Sequence, residues 1–223
     1  MALIVYGSSL SPFVRKVRVV LAEKGLDYSI EQINPFDPPE WFGEISPLKR
    51  IPVLRDTDQP EPNTLPDSSV ICEYLEAKWS EPALYPADSF ARAQALWFEE
   101  YADTQLMQSI IPVFFQRVVR RLGGAQCDES VVIGALTEKV PSAFDYLEAS
   151  IRGRRYFVGD AFSIADIAIA AMLVNFAHGG EQIDVARWPE LARFAREIHD
   201  RPSLANCIAK EQSFLERYLP AKA

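Results

Sequence analysis

The chain of 223 residues carries a formal net charge of −8, and 48% of its residues are hydrophobic. This length allows one large domain or two small ones, and the composition excludes collagen-like and intrinsically disordered chains. Because the charge is negative, binding to nucleic acid through phosphate neutralisation is not expected.

The first 80 residues alternate between short apolar runs and helical patterns. We predict strands at residues 3–6, 28–33 and 51–54, a helix at residues 12–24, and a second helix that begins at Asp67 or Ser68. Ser11 and Pro12 are typical of an N-cap and a first helical turn, and Gly25 is typical of a helix stop. Residues 59–66 contain three prolines and are predicted to form an exposed loop. This order predicts a mixed sheet with helices packed on it.

The rest of the chain shows only helical periodicity. We predict a first domain at residues 1–79, a linker at 80–88 and an all-helical domain at 89–223. The predicted helices of that domain cover residues 90–122, 129–151, 163–177, 189–200 and 204–218. Pro112 and Pro141 should kink or split the first two of them. Ser163 and Asp166 form a variant of the capping box, so we expect them to be the structural cap of a buried helix.

The sequence lacks the motifs of several common kinds of enzyme and cofactor site. The motifs GxGxxG, the P-loop, HExxH and GxSxG are all absent. Cys72, Cys127 and Cys207 are far apart and belong to no CxxC motif, so we expect neither a disulfide nor a metal site, and a cytoplasmic location. His178 and His199 have no catalytic partner nearby in the sequence, and structural roles are expected for both. No apolar stretch is long enough to span a membrane, and no membrane partner is expected.

Four segments match motifs of one protein family in the same order along the chain. They are SPFVRKVR at residues 11–18, SPLKRIPVL at 46–54, DSSVICEYL at 67–75 and FSIADI at 162–167. Through them the chain resembles, over essentially its whole length, the cytosolic glutathione transferase superfamily, in a serine-type form of bacterial, tau or zeta kind. The resemblance implies an α/β thioredoxin-like N-terminal domain that binds glutathione, an all-α C-terminal helical bundle that supplies most of the electrophile pocket, and a homodimer.

Ser11 is the residue to which the resemblance assigns thiol activation. A helix N-terminus carries partial positive charge, which favours a thiolate over a thiol. From this position the Ser11 hydroxyl would donate a hydrogen bond to the glutathione sulfur and lower the pKa of the thiol. Taken alone, Ser11 would be interpreted as a helix cap. Tyr6, at the end of the first strand, and Ser9 are the alternatives for the same role.

The resemblance assigns further residues to glutathione binding. It implies a cis peptide bond between Ile51 and Pro52 that leaves the Ile51 backbone free to pair with the cysteinyl part, whereas the alternative is a trans proline at a strand edge. Asp67 and Ser68 take the place of the usual Glu-Ser pair that receives the γ-glutamyl end, and their alternative is an N-cap. Arg50 is expected to pair with the glycyl carboxylate or else to be solvated.

The predicted electrophile pocket includes Phe13, which also belongs to the predicted glutathione site, together with Tyr101, Gln105, Gln108 and Phe114. Aromatic residues at helical spacing are otherwise typical of a core, and an apolar pocket favours hydrophobic electrophiles. The predicted function is detoxification by conjugation of glutathione to such an electrophile, or a related addition, isomerisation or peroxide reduction, without a metal. One alternative is a glutathione-dependent lyase or a thiol oxidoreductase, although the latter usually needs a cysteine in place of this serine. Another is a non-catalytic binding or regulatory module.

Overall fold

The computed structural model describes residues 2–219, which form two compact units that divide between Tyr85 and Pro86. The strands of the first unit are β1 (Leu3–Gly7), β2 (Tyr28–Gln32), β3 (Val53–Asp56) and β4 (Thr64–Pro66). Its helices are α1 (Pro12–Glu23), α2 (Phe42–Ile45) and α3 (Ser68–Lys78). The strands form one mixed sheet in the order β2-β1-β3-β4, in which only β1 and β2 are parallel. The α/β fold predicted for this part of the chain is confirmed.

Strand β4 differs from the sequence-based prediction, which placed residues 59–66 in an exposed loop. Thr64, Leu65 and Pro66 pair with β3 at the edge of the sheet, with Leu65 opposite Leu54. Proline is tolerated there because one side of an edge strand needs no ladder partners. The prediction was wrong at this point because the prolines mask a strand that is only three residues long.

The two faces of the sheet bury different residues. Alternate side chains of β1 point to opposite faces, so Val5 is buried on one face and Tyr6 on the other. Tyr6 packs there in a cluster with Ile33, Val53 and Phe42 of α2. α3 packs against β3 and β4, and α1 packs against α3. Helices therefore cover the sheet. Tyr6, an alternative candidate for thiol activation, belongs to the hydrophobic core on one face of the sheet.

A buried ion pair holds the end of the first unit in place. Lys24 Nζ lies 2.7 Å from Glu76 Oε2, and the Lys24 side chain is fully buried. The ammonium also donates a hydrogen bond to the backbone carbonyl of Trp79 at 2.7 Å, and the carboxylate accepts one from the backbone N–H of Leu84 at 3.1 Å. Both charges are therefore paired and hydrogen-bonded, as buried charges must be. Residues 79–84 are tied to α1 and α3 by these contacts.

The described part of the second unit, residues 86–219, contains only helices as regular elements. They are α4 (Ser89–Tyr101), α5 (Met107–Phe114), α6 (Arg120–Leu122), α7 (Glu129–Gly134), α8 (Val140–Ile151), α9 (Ile164–His178), α10 (Pro189–His199) and α11 (Pro202–Tyr218). Three π-helical turns, Ala102–Leu106, Phe115–Val119 and Ala135–Lys139, connect α4 to α5, α5 to α6 and α7 to α8. Pro112 lies inside α5 without ending it, and Pro141 lies in the first turn of α8. The predicted all-α second domain is confirmed.

Helix α9 lies at the centre of this unit, and thirteen of its fifteen residues are buried. At its start, Asp166 Oδ2 accepts a hydrogen bond from the backbone N–H of Ser163, and Oδ1 accepts one from the N–H of Phe157, both at 2.9 Å. Burial nevertheless raises the pKa of Asp166 to about 6, because desolvation of the charged form outweighs these bonds. Ser163 and Asp166 thus cap α9 and tie it to the preceding loop.

Candidate functional site

Three segments of the first unit leave the sheet at the same end. In the antiparallel register, Tyr6 lies opposite Val53, and Val53 lies opposite Pro66. Strands β1 and β4 therefore end where β3 begins. The chain continues from β1 into α1 and from β4 into α3, while residues 51–52 lead into β3. The starts of both helices and the segment before β3 are thus brought to one edge of the sheet.

Gly7 and Lys16 hold these segments close together. A Cβ atom on Gly7 would lie 2.5 Å from Val14 Cγ2 and 3.5 Å from Ile51 Cβ, so only glycine lets α1 and Ile51 approach the end of β1 this closely. Lys16 Nζ donates a hydrogen bond to Ser69 Oγ at 3.0 Å and so links α1 to the first turn of α3. Neither residue was predicted from the sequence to belong to the site. A glycine between a strand and a capped helix is the signal that points to Gly7.

Ser11 is the N-cap of α1. Its extended backbone (φ −73°, ψ 127°) precedes Pro12 at the first helical position, and its Oγ accepts a hydrogen bond from the backbone N–H of Val14 at 3.4 Å. The side chain is half-buried. A hydroxyl that accepts one hydrogen bond keeps its own proton as a donor. Capping and donation to a ligand atom are therefore compatible at Ser11.

The two alternatives to Ser11 have different surroundings. The Tyr6 ring is 4% exposed, meets the ring of Trp41 edge-on at 5.9 Å between centroids, and lies under the Arg55 guanidinium at 5.7 Å. Tyr6 is therefore packed on all sides of its ring, which favours a structural role. Ser9 is half-buried in the turn between β1 and α1. Both stay alternatives for thiol activation.

Ser46 fixes the loop that contains Arg50. Its hydroxyl donates a hydrogen bond to the Arg50 carbonyl at 2.8 Å and accepts one from the Arg50 N–H at 3.0 Å, and Ser46 is only 1% exposed. Lys49, between them, adopts a positive φ of 51°. The following peptide bond, between Ile51 and Pro52, is cis, as the resemblance implies. Arg50, which was predicted to bind glutathione, is exposed, and Ser46 holds it through its backbone. Ser46 is the first residue of the SPLKRIP motif, and this position is the sequence signal that points to it.

Asp67 is the N-cap of α3. Its Oδ1 accepts hydrogen bonds from the backbone N–H groups of Ser69 at 2.9 Å and Val70 at 3.3 Å. The backbone of Asp67 has a φ of 79° and a ψ of 130°, a sparsely populated conformation that costs a non-glycine residue about 1–3 kcal/mol. Ser68, the next residue, is 4% exposed. The N-cap expected as the alternative role is present, and a carboxylate has a second oxygen with which to accept further bonds.

The pocket residues predicted in the second unit have unequal exposure. Tyr101 donates a hydrogen bond to the Ala143 carbonyl at 3.4 Å, and desolvation raises the pKa of its hydroxyl to about 12. Gln105, on a π-helical turn, and Gln108, at the start of α5, are exposed. Phe114 is only 4% exposed and belongs to the core of the unit, which favours the alternative core role for it.

Phe13 belongs to the first unit and is half-buried in the first turn of α1, two residues from Ser11.

Within residues 2–219, no group of three or more His, Cys, Asp and Glu side chains is placed to hold a metal ion. No helix in the same range is both long enough and apolar enough to cross a membrane.

Family models of two domains match this chain. The model "Glutathione S-transferase, N-terminal domain" matches residues 10–78, and "Glutathione S-transferase, C-terminal domain" matches residues 126–211. A protein of Triticum aestivum named glutathione S-transferase is 30% identical over 200 residues, which cover 88% of this chain and 86% of that relative.

Solved structures of glutathione S-transferases have the same fold. A glutathione S-transferase from Rhodospirillum rubrum F11 gives a TM-score of 0.83 at 28% identity, and the match covers 92% of this chain and 91% of the other. A glutathione S-transferase from Methylobacillus flagellatus KT, solved with GSH bound, gives a TM-score of 0.76 at 30% identity, with coverages of 92% and 98%. Both domain models, a relative that is similar over most of its length and these structures lead to one conclusion: the chain belongs to the cytosolic glutathione S-transferase superfamily.

Proposed function

We propose that this protein conjugates glutathione to hydrophobic electrophiles, with Ser11 stabilising the glutathione thiolate. The observation that carries the proposal is the meeting, at one edge of the sheet, of the Ser11-capped α1, the cis segment Ile51–Pro52 and the Asp67-capped α3. Two helix N-termini at one place favour an anion. The names of the relatives, and the GSH bound in the Methylobacillus flagellatus structure, support glutathione as the ligand.

Each part of glutathione has a chemical partner among these residues. The cysteinyl backbone pairs with that of Ile51, which precedes the cis bond. Asp67 accepts hydrogen bonds from the γ-glutamyl ammonium, and Ser68 with the α3 N-terminus receives the neighbouring carboxylate. Arg50 pairs with the glycyl carboxylate. The chain carries a net charge of −8 and glutathione is an anion, so the net charge of the protein repels glutathione. The attraction for glutathione therefore comes from these local groups.

The proposed chemical step is nucleophilic attack by the glutathione sulfur. The Ser11 hydroxyl donates to the sulfur, and the partial charge at the start of α1 favours the anion, so both lower the pKa of the thiol and its proton passes to solvent. With an aryl halide, the new carbon–sulfur bond forms as the carbon–halogen bond breaks and halide departs. No group of the protein is covalently modified, so Ser11 returns unchanged to its starting state.

The electrophile is proposed to bind in the second unit, against Tyr101, Gln105 and Gln108. Residues 1–79 would then bind glutathione and residues 89–223 would select the second substrate, with detoxification in the cytoplasm as the purpose. We further propose a homodimer, as the family resemblance implies. Light scattering on the purified protein should give twice the chain mass of 25.1 kDa, and a mass equal to one chain would contradict it.

The first prediction concerns Ser11 and tests the proposal directly. Purified protein should bind immobilised glutathione and conjugate a general aryl halide, whereas Ser11→Ala should lose roughly 100-fold in kcat/KM, because catalysis loses a donor aimed at developing charge. Loss of the N-cap should lower the free energy of unfolding by only about 1 kcal/mol, so the variant stays folded. Initial rates and thermal unfolding measure both effects.

Two variants act as controls for Ser11. Ser11→Thr keeps both the cap and the hydroxyl and should retain most of the activity, while Ser9→Ala should have little effect. If Ser11→Ala kept full activity and Tyr6→Phe abolished it, the proposed role of Ser11 would be wrong. Calorimetric titration separates the alternative of a non-catalytic module, because no binding of glutathione at millimolar concentration would exclude the transferase proposal.

A further inference from the structure

A buried lysine joins the two helices whose N-termini meet at the candidate site. Lys16 lies in the second turn of α1 and is 0% exposed. Its Nζ donates a hydrogen bond at 3.0 Å to the Oγ of Ser69, the second residue of α3. A buried ammonium needs its polar partners, because the loss of one leaves charge without compensation. This bond therefore holds the first turn of α3 against α1.

Asp67, the N-cap of α3, needs such support because its backbone is strained. Its φ of 79° and ψ of 130° are a sparsely populated combination for a residue with a Cβ atom, and strain of this kind persists only where the surrounding structure holds the backbone. On one side of Asp67, Pro66 pairs with Val53 in the sheet. On the other side, the N–H of Ser69 donates to Asp67 Oδ1 at 2.9 Å. Because Lys16 binds the hydroxyl of Ser69, it stabilises this second contact.

A similar cap in the second unit shows that the strain is not a property of the cap itself. Asp128 is the N-cap of α7, and its Oδ1 accepts a hydrogen bond from the N–H of Ser130 at 3.0 Å. The hydroxyl of Ser130 turns back to the same carboxylate at 2.6 Å, and the backbone of Asp128 is extended (φ −97°, ψ 95°). An Asp-x-Ser cap thus forms without a positive φ. The conformation of Asp67 belongs to its place between the sheet and α1.

We propose that the bond between Lys16 and Ser69 makes this protein selective for γ-glutamyl thiols. Both are positioning residues, which act through Asp67. The inference rests on the proposed function, in which Asp67 receives the γ-glutamyl end while Ser11 stabilises the sulfur. Because these two groups belong to one ligand, both can be bound well only if the starts of α1 and α3 keep a fixed separation. The bond supplies this constraint.

Two thiols that differ at the γ-glutamyl end test the proposal: glutathione, and N-acetylcysteinylglycine, in which an acetyl group replaces that end. Initial rates with one aryl halide give kcat/KM for each thiol. Ser69→Ala should lower kcat/KM about tenfold for glutathione and less than about twofold for the shorter thiol, which makes no use of Asp67. Ser69→Thr keeps a hydroxyl and should restore the selectivity. Equal losses with both thiols, or no loss with either, would overturn the inference.

The double variant isolates the bond itself. Lys16 and Ser69 each make further interactions, so a single substitution removes more than this bond. Lys16→Met should reduce the selectivity for glutathione as much as Ser69→Ala does, and the double variant should reduce it no further. Effects that add fully in the double variant would contradict the role of the bond. If Lys16→Met fails to fold, the comparison of Ser69→Ala with Ser69→Thr decides, because both keep the buried lysine.

The matched control is Ser130→Ala, which removes the hydroxyl at the same position of the Asp128 cap. This variant should keep the wild-type selectivity, and a loss equal to that of Ser69→Ala would refute a specific role for Ser69. A wild type that conjugates neither thiol would instead contradict the proposed function, and the inference with it. Failure of the inference alone is recognised by a wild type that prefers glutathione and a Ser69→Ala variant that prefers it to the same degree.

Discussion

Gly7 occupies the most crowded position of the candidate site, where β1 ends and α1 begins. The second prediction is that Gly7→Ala lowers the free energy of unfolding by about 1–3 kcal/mol, because its Cβ would overlap Val14 Cγ2 and force a shift. Since Ile51 lies against the same position, the KM for glutathione should rise as well. Urea unfolding and steady-state kinetics measure the two effects.

The control for Gly7 is Gly134, the last residue of helix α7, which has open space around it. A Cβ on Gly134 would meet nothing within 4 Å, so Gly134→Ala should not destabilise the protein. Combining Gly7→Ala with Val14→Ala removes the clashing methyl group and should restore part of the affinity for glutathione. Unchanged stability and KM in the single variant Gly7→Ala would show that the close approach is not needed.

Asp166 provides a prediction that depends on pH. Its pKa is about 6 in the folded protein and 3.8 in the reference state, so the folded protein binds this proton more tightly than the unfolded chain. The resulting stability is fully present below pH 3.8 and is lost as the pH rises through about 6. Asp166→Asn cannot titrate, so its deficit in the free energy of unfolding should grow as the pH falls from 7 toward 4.

Denaturant unfolding of the wild type and of Asp166→Asn at several pH values measures this deficit. At pH 7 the variant should already be less stable by about 1–3 kcal/mol, because the N–H of Ser163 or of Phe157 loses its acceptor. The exposed Asp160→Asn serves as the control and should follow the wild type. A deficit that is the same at every pH would contradict the raised pKa.

At the level of elements, the loop between α2 and β3 depends on one buried hydroxyl. Ser46→Ala leaves the N–H and the carbonyl of Arg50 without their partner and should cost about 1–3 kcal/mol of stability. Ser46 is a positioning residue, which acts through Arg50 and Ile51. The KM for glutathione should therefore rise severalfold while kcat changes little, and kinetics with varied glutathione test this split.

Ser150 supplies the comparison for Ser46. Its hydroxyl donates to the Tyr146 carbonyl one helical turn away, at 2.8 Å, far from the candidate site in the chain. Ser150→Ala should leave both KM and kcat unchanged. If Ser46→Ala lowered kcat and left KM unchanged, its proposed action through the binding loop would be wrong.

The elements show where local patterns suffice and where they fail. Helix α1 was predicted to within a residue, because an N-cap, a proline at the first position and a glycine stop are local signals. The π-helical turns in the second unit were not predicted, since each covers only five residues, which is too few to change the apolar pattern of the α-helices on either side. β4 was missed because its pairing with β3 is a tertiary contact.

For the whole molecule, the last prediction concerns the cysteines. All three lie within the described residues and form no disulfide; Cys72 and Cys207 are buried, and Cys127 is half-buried. A thiol reagent such as dithionitrobenzoate should therefore modify Cys127 first in the native protein and all three after unfolding. Cys127→Ser should remove the fast phase. A fast phase that persists in this variant would contradict the assigned burial.

The sequence by itself determined the order of elements, the division into an α/β part and a helical part, the helix caps and the family. These features depend on local patterns and on motifs whose spacing is fixed along the chain. Only the tertiary structure decided that Tyr6 is packed in a core cluster, that the Ser11 cap lies at the sheet edge, and that Phe114 is buried. Gly7, Lys16 and Ser46 likewise gained their roles from contacts between residues distant in sequence. The physical reason is that burial and close approach depend on which elements pack together, and a residue's local pattern does not specify its neighbours in space.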